Sequence, residues 1–178
     1  MLKIVIWGDS VLRAKSSPVA LVTPELRAVA EEMLKTMYKA NGVGLAAQQV
    51  GRTERLCVID VPKECEKKEY QESNAQAVAM PMVLFNPEIL DRAGEQTDSE
   101  GCLSFPKIHT PITRSDKVTV TYLDQHGMRQ TVTVQGLLAR AVQHELDHLD
   151  GVVFTDLVPE EKKPAIQKKL DKLARKGK

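Results

Sequence analysis

Two histidines one helical turn apart constrain this chain more than any other feature. The segment Gln143-His144-Glu145-Leu146-Asp147-His148 has the pattern His-Glu-x-x-His. Residues four apart lie on the same face of an α-helix, so the two imidazoles can bind one transition-metal ion. The glutamate after the first histidine lies within reach of a water on that ion and can carry its proton. The pattern predicts a metal-dependent hydrolase.

The residues around this motif predict that its helix is buried. One stripe at helical spacing contains Leu137, Ala141, His144 and His148. The stripe beside it contains Leu138, Val142, Glu145 and Leu149. The histidines therefore continue an apolar face, which is typical of ligands on a buried helix and not of two histidines on a solvated one.

The third protein ligand decides the enzyme class, because a catalytic metal usually takes three ligands from the protein. In metzincin proteases a third histidine follows the second by about six residues, and here that position is Phe154. The only glutamates after His148 are Glu160 and Glu161, at the start of a separate terminal helix. The third ligand is therefore expected upstream. The candidates are Cys57, Cys65, Cys102, His109 and His126.

Length and composition favour one cytoplasmic domain. The chain has 178 residues and a net charge of +1, which predicts a single domain over residues 1–178 and gives no indication of binding to DNA or a membrane. No apolar run reaches transmembrane length, and the first residues lack the features of a signal peptide. Three scattered cysteines do not form a disulfide framework. A reducing cytoplasm fits, and it keeps a cysteine available as a thiolate ligand.

The first third of the chain contains a predicted strand, a helix and a glycine-rich loop. Residues 2–7 are predicted to form a short strand. Thr23 as N-cap and Pro24 at the first position begin a helix whose apolar stripe reaches Tyr38. The segment 42–51 has two interpretations of equal weight: a tight loop that packs on a helix, or a loop that lines a pocket with a glutamine amide facing inward.

The rest of the chain predicts short strands, one surface loop and a terminal helix. Residues 56–61 and 83–85 are expected to be strands, the second ending at Asn86-Pro87, and the polar segment 62–80 a surface loop in which Cys65 is incidental. Residues 117–123 and 131–134 alternate as in a β-hairpin, with His126 near its tip and poorly placed to be a ligand. Residues 160–178 carry a net charge of +5 and predict a helix over about 160–176.

Three motifs in order resemble those of the peptide deformylase family. They are Gly42-x-Gly44-x-Ala46-Ala47-x-Gln49, Glu100-Gly101-Cys102-Leu103-Ser104 and Gln143-His144-Glu145-x-Asp147-His148. The similarity extends from Leu12-Arg13 through Asn86-Pro87 to about Gly151. It implies an α+β fold, with antiparallel β-sheets packed around the histidine helix and an additional C-terminal helix. It also implies removal of the formyl group from N-terminal formylmethionine of nascent peptides, with release of formate.

The resemblance implies roles for individual residues of this chain. The implied metal ligands are Cys102, His144 and His148. Glu145 is the implied general base and acid for a metal-activated water that attacks the formyl carbon. Gln49 and the backbone N–H of Leu103 match the donors that hold the formyl oxygen. The implied substrate pocket contains Gly42, Val43, Gly44 and Leu137.

Cofactor and partners follow from the same resemblance. It implies one divalent metal ion, Fe²⁺ in the family, although such ligands also accept Zn²⁺, Ni²⁺ or Co²⁺. The implied substrates are N-formylmethionyl peptides. The basic terminal helix would add a weak, salt-dependent attraction to the ribosome, or would only cover the core. The chain departs from several bacterial relatives at His109, where they carry an arginine, and its segment 62–80 is longer than in some of them.

Two other functions fit the histidine motif taken alone. A zincin-like endopeptidase would bind its metal without Cys102. A non-catalytic module with a structural metal would need four protein ligands, and only three are plausible here.

One further residue on the motif helix predicts an ion pair. Asp147 lies about 60° around the helix from His144, on the side away from Glu145. A carboxylate at the edge of a buried face needs a cation, and Arg114 is the predicted partner.

Overall fold

A computed structural model describes residues 1–176 and contains two antiparallel sheets and four α-helices. The helices are α1 (Pro24–Lys39), α2 (Lys68–Ala77), α3 (Gly136–Leu149) and α4 (Lys163–Lys176). The strands are β1 (Gly44–Ala46), β2 (Leu56–Ile59), β3 (Met82–Ala93), β4 (Gln96–Gly101), β5 (His109–Arg114), β6 (Lys117–Leu123) and β7 (Arg129–Gln135). This is the α+β architecture that the motifs implied. Within residues 1–176 there is no helix both long and apolar enough to cross a bilayer.

Helix α3 packs against the larger sheet, chiefly along β1 and β2. The strand order of this sheet is β1-β2-β3-β6-β7, with every neighbouring pair antiparallel, and β4 and β5 form a separate two-stranded sheet. Strand β2 is buried on both faces: Cys57 and Ile59 join the core cluster that contains the apolar residues of α3, while Leu56 and Val58 join the cluster under α1. The metal-motif helix is therefore enclosed by the sheet.

The predicted helix α1 and the β6–β7 hairpin are confirmed. Pro24 begins α1, and the Leu26 N–H donates to the Thr23 hydroxyl at 3.3 Å, as expected of an N-cap. Strands β6 and β7 pair in register through the expected turn. Tyr38 differs from the other members of the α1 stripe, because it is 48% exposed and its hydroxyl donates to Asp60 Oδ2 at 2.6 Å.

The predicted strand at residues 2–7 is wrong. The segment is extended, but it joins no sheet. The Val5 N–H donates to the Gln49 carbonyl at 2.8 Å, and the Trp7 N–H donates to the Ser104 carbonyl at 2.9 Å. The Leu2 N–H donates to the Thr36 hydroxyl of α1 at 3.0 Å. The hydrogen bonds of this segment therefore go to three separate parts of the fold, and no regular ladder forms.

The surface loop predicted at residues 62–80 is also wrong, since the segment contains α2 and a short 3-10 helix at Lys63–Cys65. Glutamate, glutamine, lysine and alanine favour helix, but an apolar stripe is almost absent here. Helix α2 is held to the rest of the molecule by polar side chains such as Asn74, which is buried. Such a helix lacks the periodic apolar residues from which a helix is predicted.

Strand β3 extends well beyond the predicted end at Asn86-Pro87. Asn86 adopts a positive φ of 50°, and the pairing of β3 with β6 shifts register between Phe85 and Glu88. The Asn86 side chain donates to the Val19 carbonyl and accepts from the Val19 N–H, both at 2.8 Å. The irregularity accommodates the proline, which has no N–H, and the strand continues.

The terminal helix begins slightly later than predicted. A 3-10 turn occupies Glu160–Lys162 and α4 follows as far as Lys176, so Gly177 and Lys178 of the predicted segment lie outside the described residues. Ile166 and Leu170 of α4 are buried in a third apolar cluster with Phe105 and Phe154.

Candidate metal centre

Helix α3 brings the two histidines and the glutamate of the motif to one buried place. The rings of His144 and His148 lie 4.9 Å apart between centroids, as expected for side chains four residues apart. His144, Glu145 and His148 are all buried. The helix presents them from its apolar side, since its neighbouring residues Ala141, Val142 and Leu149 belong to the core under the sheet.

Cys102 is the upstream candidate that the fold places beside the histidines. It directly follows β4, and its Sγ lies 3.2 Å from Nε2 of His148. The ligand atoms of Cys102, His144 and His148 all lie within 4.8 Å of one another. One thiol and two imidazoles therefore converge on a single point.

The other four candidates for a third ligand lie elsewhere. Cys57 is fully buried among the core residues of β2, and Cys65 is exposed on the short helix before α2. His126 is exposed in the β6–β7 turn. His109 borders the same cavity as Cys102 but is exposed and outside the ligand cluster.

Glu100 determines which nitrogen of His144 faces the cluster. The Nδ1 atom of His144 lies 2.6 Å from Glu100 Oε1, so Nδ1–H donates to the carboxylate and Nε2 is left as the metal-facing acceptor. Metal-binding histidines commonly have such a carboxylate partner, which fixes the ring and makes it a better donor to the metal. Glu100 belongs to the second motif, but neither its spacing nor the resemblance predicted this role.

Two arginines hold Glu100. Arg114 donates to both carboxylate oxygens at 2.8 and 2.7 Å, and Arg140 donates to Oε2 at 2.7 Å. Burial alone would raise the pKa of the Glu100 carboxyl, but the hydrogen bonds from Arg114 and His144 outweigh it and hold that pKa well below its ordinary value. Glu100 is therefore a carboxylate, ready to accept from His144.

The predicted pair between Asp147 and Arg114 is confirmed. The Arg114 Nη1 donates to Asp147 Oδ2 at 2.8 Å while the other edge of the guanidinium binds Glu100. Arg114 thus links the far side of the motif helix to the strand that precedes Cys102. Arg140, one turn before His144, has a similar role that was not predicted. Its only signal in the sequence is a cation within an otherwise apolar stretch of helix.

The orientation of Gln49 decides between the two interpretations of the segment 42–51, a tight loop on a helix or the lining of a pocket. Its Oε1 accepts from the Ala46 N–H at 2.8 Å, and its Nε2 donates to Cys102 Sγ at 3.3 Å. The first bond fixes the amide plane, so the donor side faces the cluster. The segment lines a pocket with an inward-facing amide.

Gly44 lies against the glutamate of the motif. A Cβ added at Gly44 would overlap with the carboxylate of Glu145, so glycine at this position leaves that side chain where it is. Burial raises the pKa of Glu145 to about 7, although a nearby cation would lower it again. Its Oε2 is buried and has no hydrogen-bond partner among the described residues.

A cavity of about 450 Å³ opens onto this cluster. Its lining includes Gly42, Val43 and Gly44 as well as Leu137 of α3. Gln49, Cys102, Leu103, His144 and Glu145 also line it. All of the residues to which the resemblance gave a role, apart from the more deeply placed His148, therefore border one space.

The donor set fits a divalent transition metal. Bonds of about 2.0–2.3 Å to nitrogen and sulfur place donors in a tetrahedral site roughly 3.5 Å apart. The Sγ of Cys102 and the Nε2 of His148 lie 3.2 Å apart, which is close to this value. Three protein donors leave one position for water or substrate, which is the composition of a catalytic site. The oriented Nε2 of His144 and the unpartnered Oε2 of Glu145 are consistent with an ion and a water between them.

Comparison with known proteins gives a consistent result. A model of the family described as polypeptide deformylase matches residues 1–164. A protein named peptide deformylase from Alkalilimnicola ehrlichii is 42% identical over 177 residues, covering 99% of this chain and 93% of the relative. The crystal structure of a peptide deformylase from Legionella pneumophila matches with a TM-score of 0.83 at 39% identity, covering 98% of this chain and 96% of the other. One from Synechococcus elongatus, in complex with actinonin, matches with a TM-score of 0.82 at 39% identity, covering 97% and 85% of the two chains.

Proposed function

This chain belongs to the peptide deformylase family, and we propose that Cys102, His144 and His148 hold the metal ion at which its reaction takes place. The enzyme is a hydrolase that removes the N-formyl group from formylmethionyl nascent peptides. The observation that carries the site assignment is the convergence of three donor atoms within 4.8 Å of one another. The family match disfavours a zincin-like peptidase and a non-catalytic metal module.

Glu145 is assigned the proton transfer. When bound, a divalent cation at this centre lowers the pKa of a water molecule and polarises the formyl carbonyl. Glu145 accepts the proton of the attacking water and delivers it to the departing amine nitrogen. Its buried Oε2, which has no partner among the described residues, is suited to this role. Gly44 keeps the carboxylate beside the pocket wall.

Gln49 and the backbone N–H of Leu103 are assigned the role of donating hydrogen bonds to the formyl oxygen. These bonds stabilise the negative charge that develops there. The Ala46 N–H holds the Gln49 amide, so the donor does not have to reorient during the reaction. Donors that are already in place contribute most to such a step, and removing one typically costs about 100- to 1000-fold in rate.

We assign to the cavity the binding of the side chain of the substrate's formylmethionine. Gly42, Val43, Gly44 and Leu137 all line a space of about 450 Å³. A long, flexible, apolar side chain suits walls of this composition.

Ferrous iron is the ion that we assign to the centre, and the reaction is assigned to the cytoplasm. A set of one thiolate and two imidazoles accepts several first-row ions, so Zn²⁺, Ni²⁺ and Co²⁺ are alternative occupants. Ferrous iron beside a thiolate makes activity sensitive to oxygen and peroxide.

Formate release tests the assignment of function and metal together. Protein purified without oxygen should release one formate per formyl-Met-Ala-Ser consumed and contain about one iron per chain. Exposure to air should lower its activity, and reloading with Ni²⁺ or Co²⁺ should restore it. Cleavage of casein without formate release would instead indicate an endopeptidase.

The basic helix α4 is assigned a second, weaker role. Its apolar side covers the third core cluster through Ile166 and Leu170, so it is at least a structural element. Its exposed side carries Lys168, Lys169, Lys172 and Arg175. We assign to this side a weak attraction to the RNA phosphates of the ribosome. The nascent peptide that is the substrate emerges from the ribosome.

Charge removal tests this attraction without disturbing the core. The triple variant Lys168→Gln, Lys169→Gln, Lys172→Gln should keep its activity on a free formyl-peptide and its melting temperature, because these side chains are exposed. Its co-sedimentation with ribosomes should weaken, and the slope of log K against log salt should fall by about 2. Unchanged co-sedimentation would leave α4 with its structural role only.

A further inference from the structure

The N-terminus of α3 is capped by a distant carboxylate. Gln135 at the N-cap position forms no side-chain cap hydrogen bond, although the first N–H groups of a helix need acceptors. Glu66 supplies them: the Leu137 N–H donates to Oε1 at 3.0 Å, and the Leu138 N–H donates to Oε2 at 2.9 Å. Negative charge at a helix N-terminus is also favourable electrostatically.

Asn74 of α2 holds this carboxylate and the residue before the helix. Its Nδ2 donates to Glu66 Oε2 at 3.3 Å and to the Gln135 carbonyl at 3.0 Å, and its Oδ1 accepts from the Gln135 N–H at 3.0 Å. Glu66 and Asn74 are each 7% exposed, so water competes little for these bonds. The segment before and within α2 therefore clamps the start of the motif helix.

The first residue of α3 is matched to this clamp. Gly136 has a φ of +63°, which favours glycine. A Cβ at this position would overlap with Glu66 Oε1 and would lie 2.6 Å from Tyr70 Cδ2. The carboxylate reaches the helix N-terminus only because no side chain occupies that space.

Leu137 connects the clamp to the reaction site. Its N–H is held by Glu66 at 3.0 Å, and the residue borders the same cavity as Gly42, Val43 and Gly44. His144 lies about two turns further along α3 and has its own support from Glu100. A displacement of the first turn would therefore move the pocket wall more than the metal ligands.

We propose that Glu66 is a positioning residue for substrate recognition, which acts by holding Leu137 at the wall of the pocket for the substrate's first side chain. This inference rests on the proposed function, because it requires that Leu137 bounds that pocket. It assigns to α2 and the residues just before it a role in selecting the substrate, and not in the chemical step.

The variant Glu66→Gln tests the proposal. It preserves the size of the side chain, but it directs an NH₂ group at a backbone N–H and removes the charge. For formyl-Met-Ala-Ser we expect kcat/KM to fall about tenfold through KM, with kcat and metal content unchanged. For formyl-Ala-Ala-Ser, whose short side chain leaves the wall untouched, we expect little change. The exposed Glu64→Gln, which removes the same charge from the same segment, is the matched control.

The ratio of kcat/KM for the two peptides decides the outcome, because loss of active protein cancels in it. A purely structural role would lower both values equally, and an unchanged ratio in Glu66→Gln overturns the proposal. If Glu66→Gln does not fold, Asn74→Ala, which removes the donor that holds Glu66, decides by the same ratio in the same direction. Absence of formate release by the unmodified protein would contradict the proposed function instead, and the assay reports that separately.

Discussion

A Glu145→Gln variant should bind one metal ion per chain and lose about 100- to 10,000-fold in kcat on formyl-Met-Ala-Ser. Glutamine has the shape of glutamate and fits the same space against Gly44, but it cannot accept a proton from water. Cys102, His144 and His148 remain unchanged, so the donor set is preserved. Metal analysis and steady-state kinetics on the same sample separate proton transfer from metal binding.

The exposed Glu161→Gln is a suitable control, since it removes one carboxylate far from the cavity and should leave both quantities unchanged. Turnover of Glu145→Gln close to that of the unmodified enzyme would remove Glu145 from the mechanism. Loss of metal together with activity would show that Glu145 supports the metal site and would leave the proton-transfer role without support.

A Cys102→Ala variant should lose stoichiometric metal and, with it, activity. Loss of residues that only support a ligand typically lowers metal affinity by about 10- to 100-fold, so removal of one of three proposed ligands should cost more. The remaining imidazoles of His144 and His148 can still approach one ion, so we expect at most weak residual metal binding in this variant. Metal titration followed by desalting measures the change.

Two other cysteines provide matched controls for this result. Cys57→Ala removes a fully buried thiol and Cys65→Ala an exposed one, and neither belongs to the ligand cluster. Both variants should keep one metal per folded chain. Full occupancy in Cys102→Ala would contradict the proposed ligand set and would return the third position to the other candidates.

Patterns within a few residues were enough to predict several elements of this protein. The four-residue spacing of His144 and His148 predicts a shared helix face, because each residue advances the helix by about 100°. Thr23-Pro24 predicts the start of α1, and the alternation in β6 and β7 predicts their pairing. In each case the determining geometry lies within one helix or one hairpin, where neighbouring residues alone set the backbone.

Polar segments and irregular strands were beyond this kind of inference. Helix α2 has almost no apolar stripe. It contacts the rest of the molecule through Asn74 and other polar side chains, and these contacts need no apolar face. Strand β3 passes Asn86-Pro87 because its partner β6 accommodates the shift in register. Whether a local irregularity ends an element depends on neighbours that are remote in the chain.

The arrangement of the reaction site was decided by the tertiary structure. Spacing around the histidines left five candidates for the third ligand, and only packing of β4 against α3 places Cys102 3.2 Å from His148. The same packing sets Glu100 on His144, while Glu66, 71 residues before Leu137, caps the motif helix. Local sequence thus determined the chemistry on one helix. Contacts across distant segments depend on how the sheets and helices pack. The resemblance implied Cys102, but the supporting contacts of Glu100, Arg140 and Glu66 emerged only from the fold.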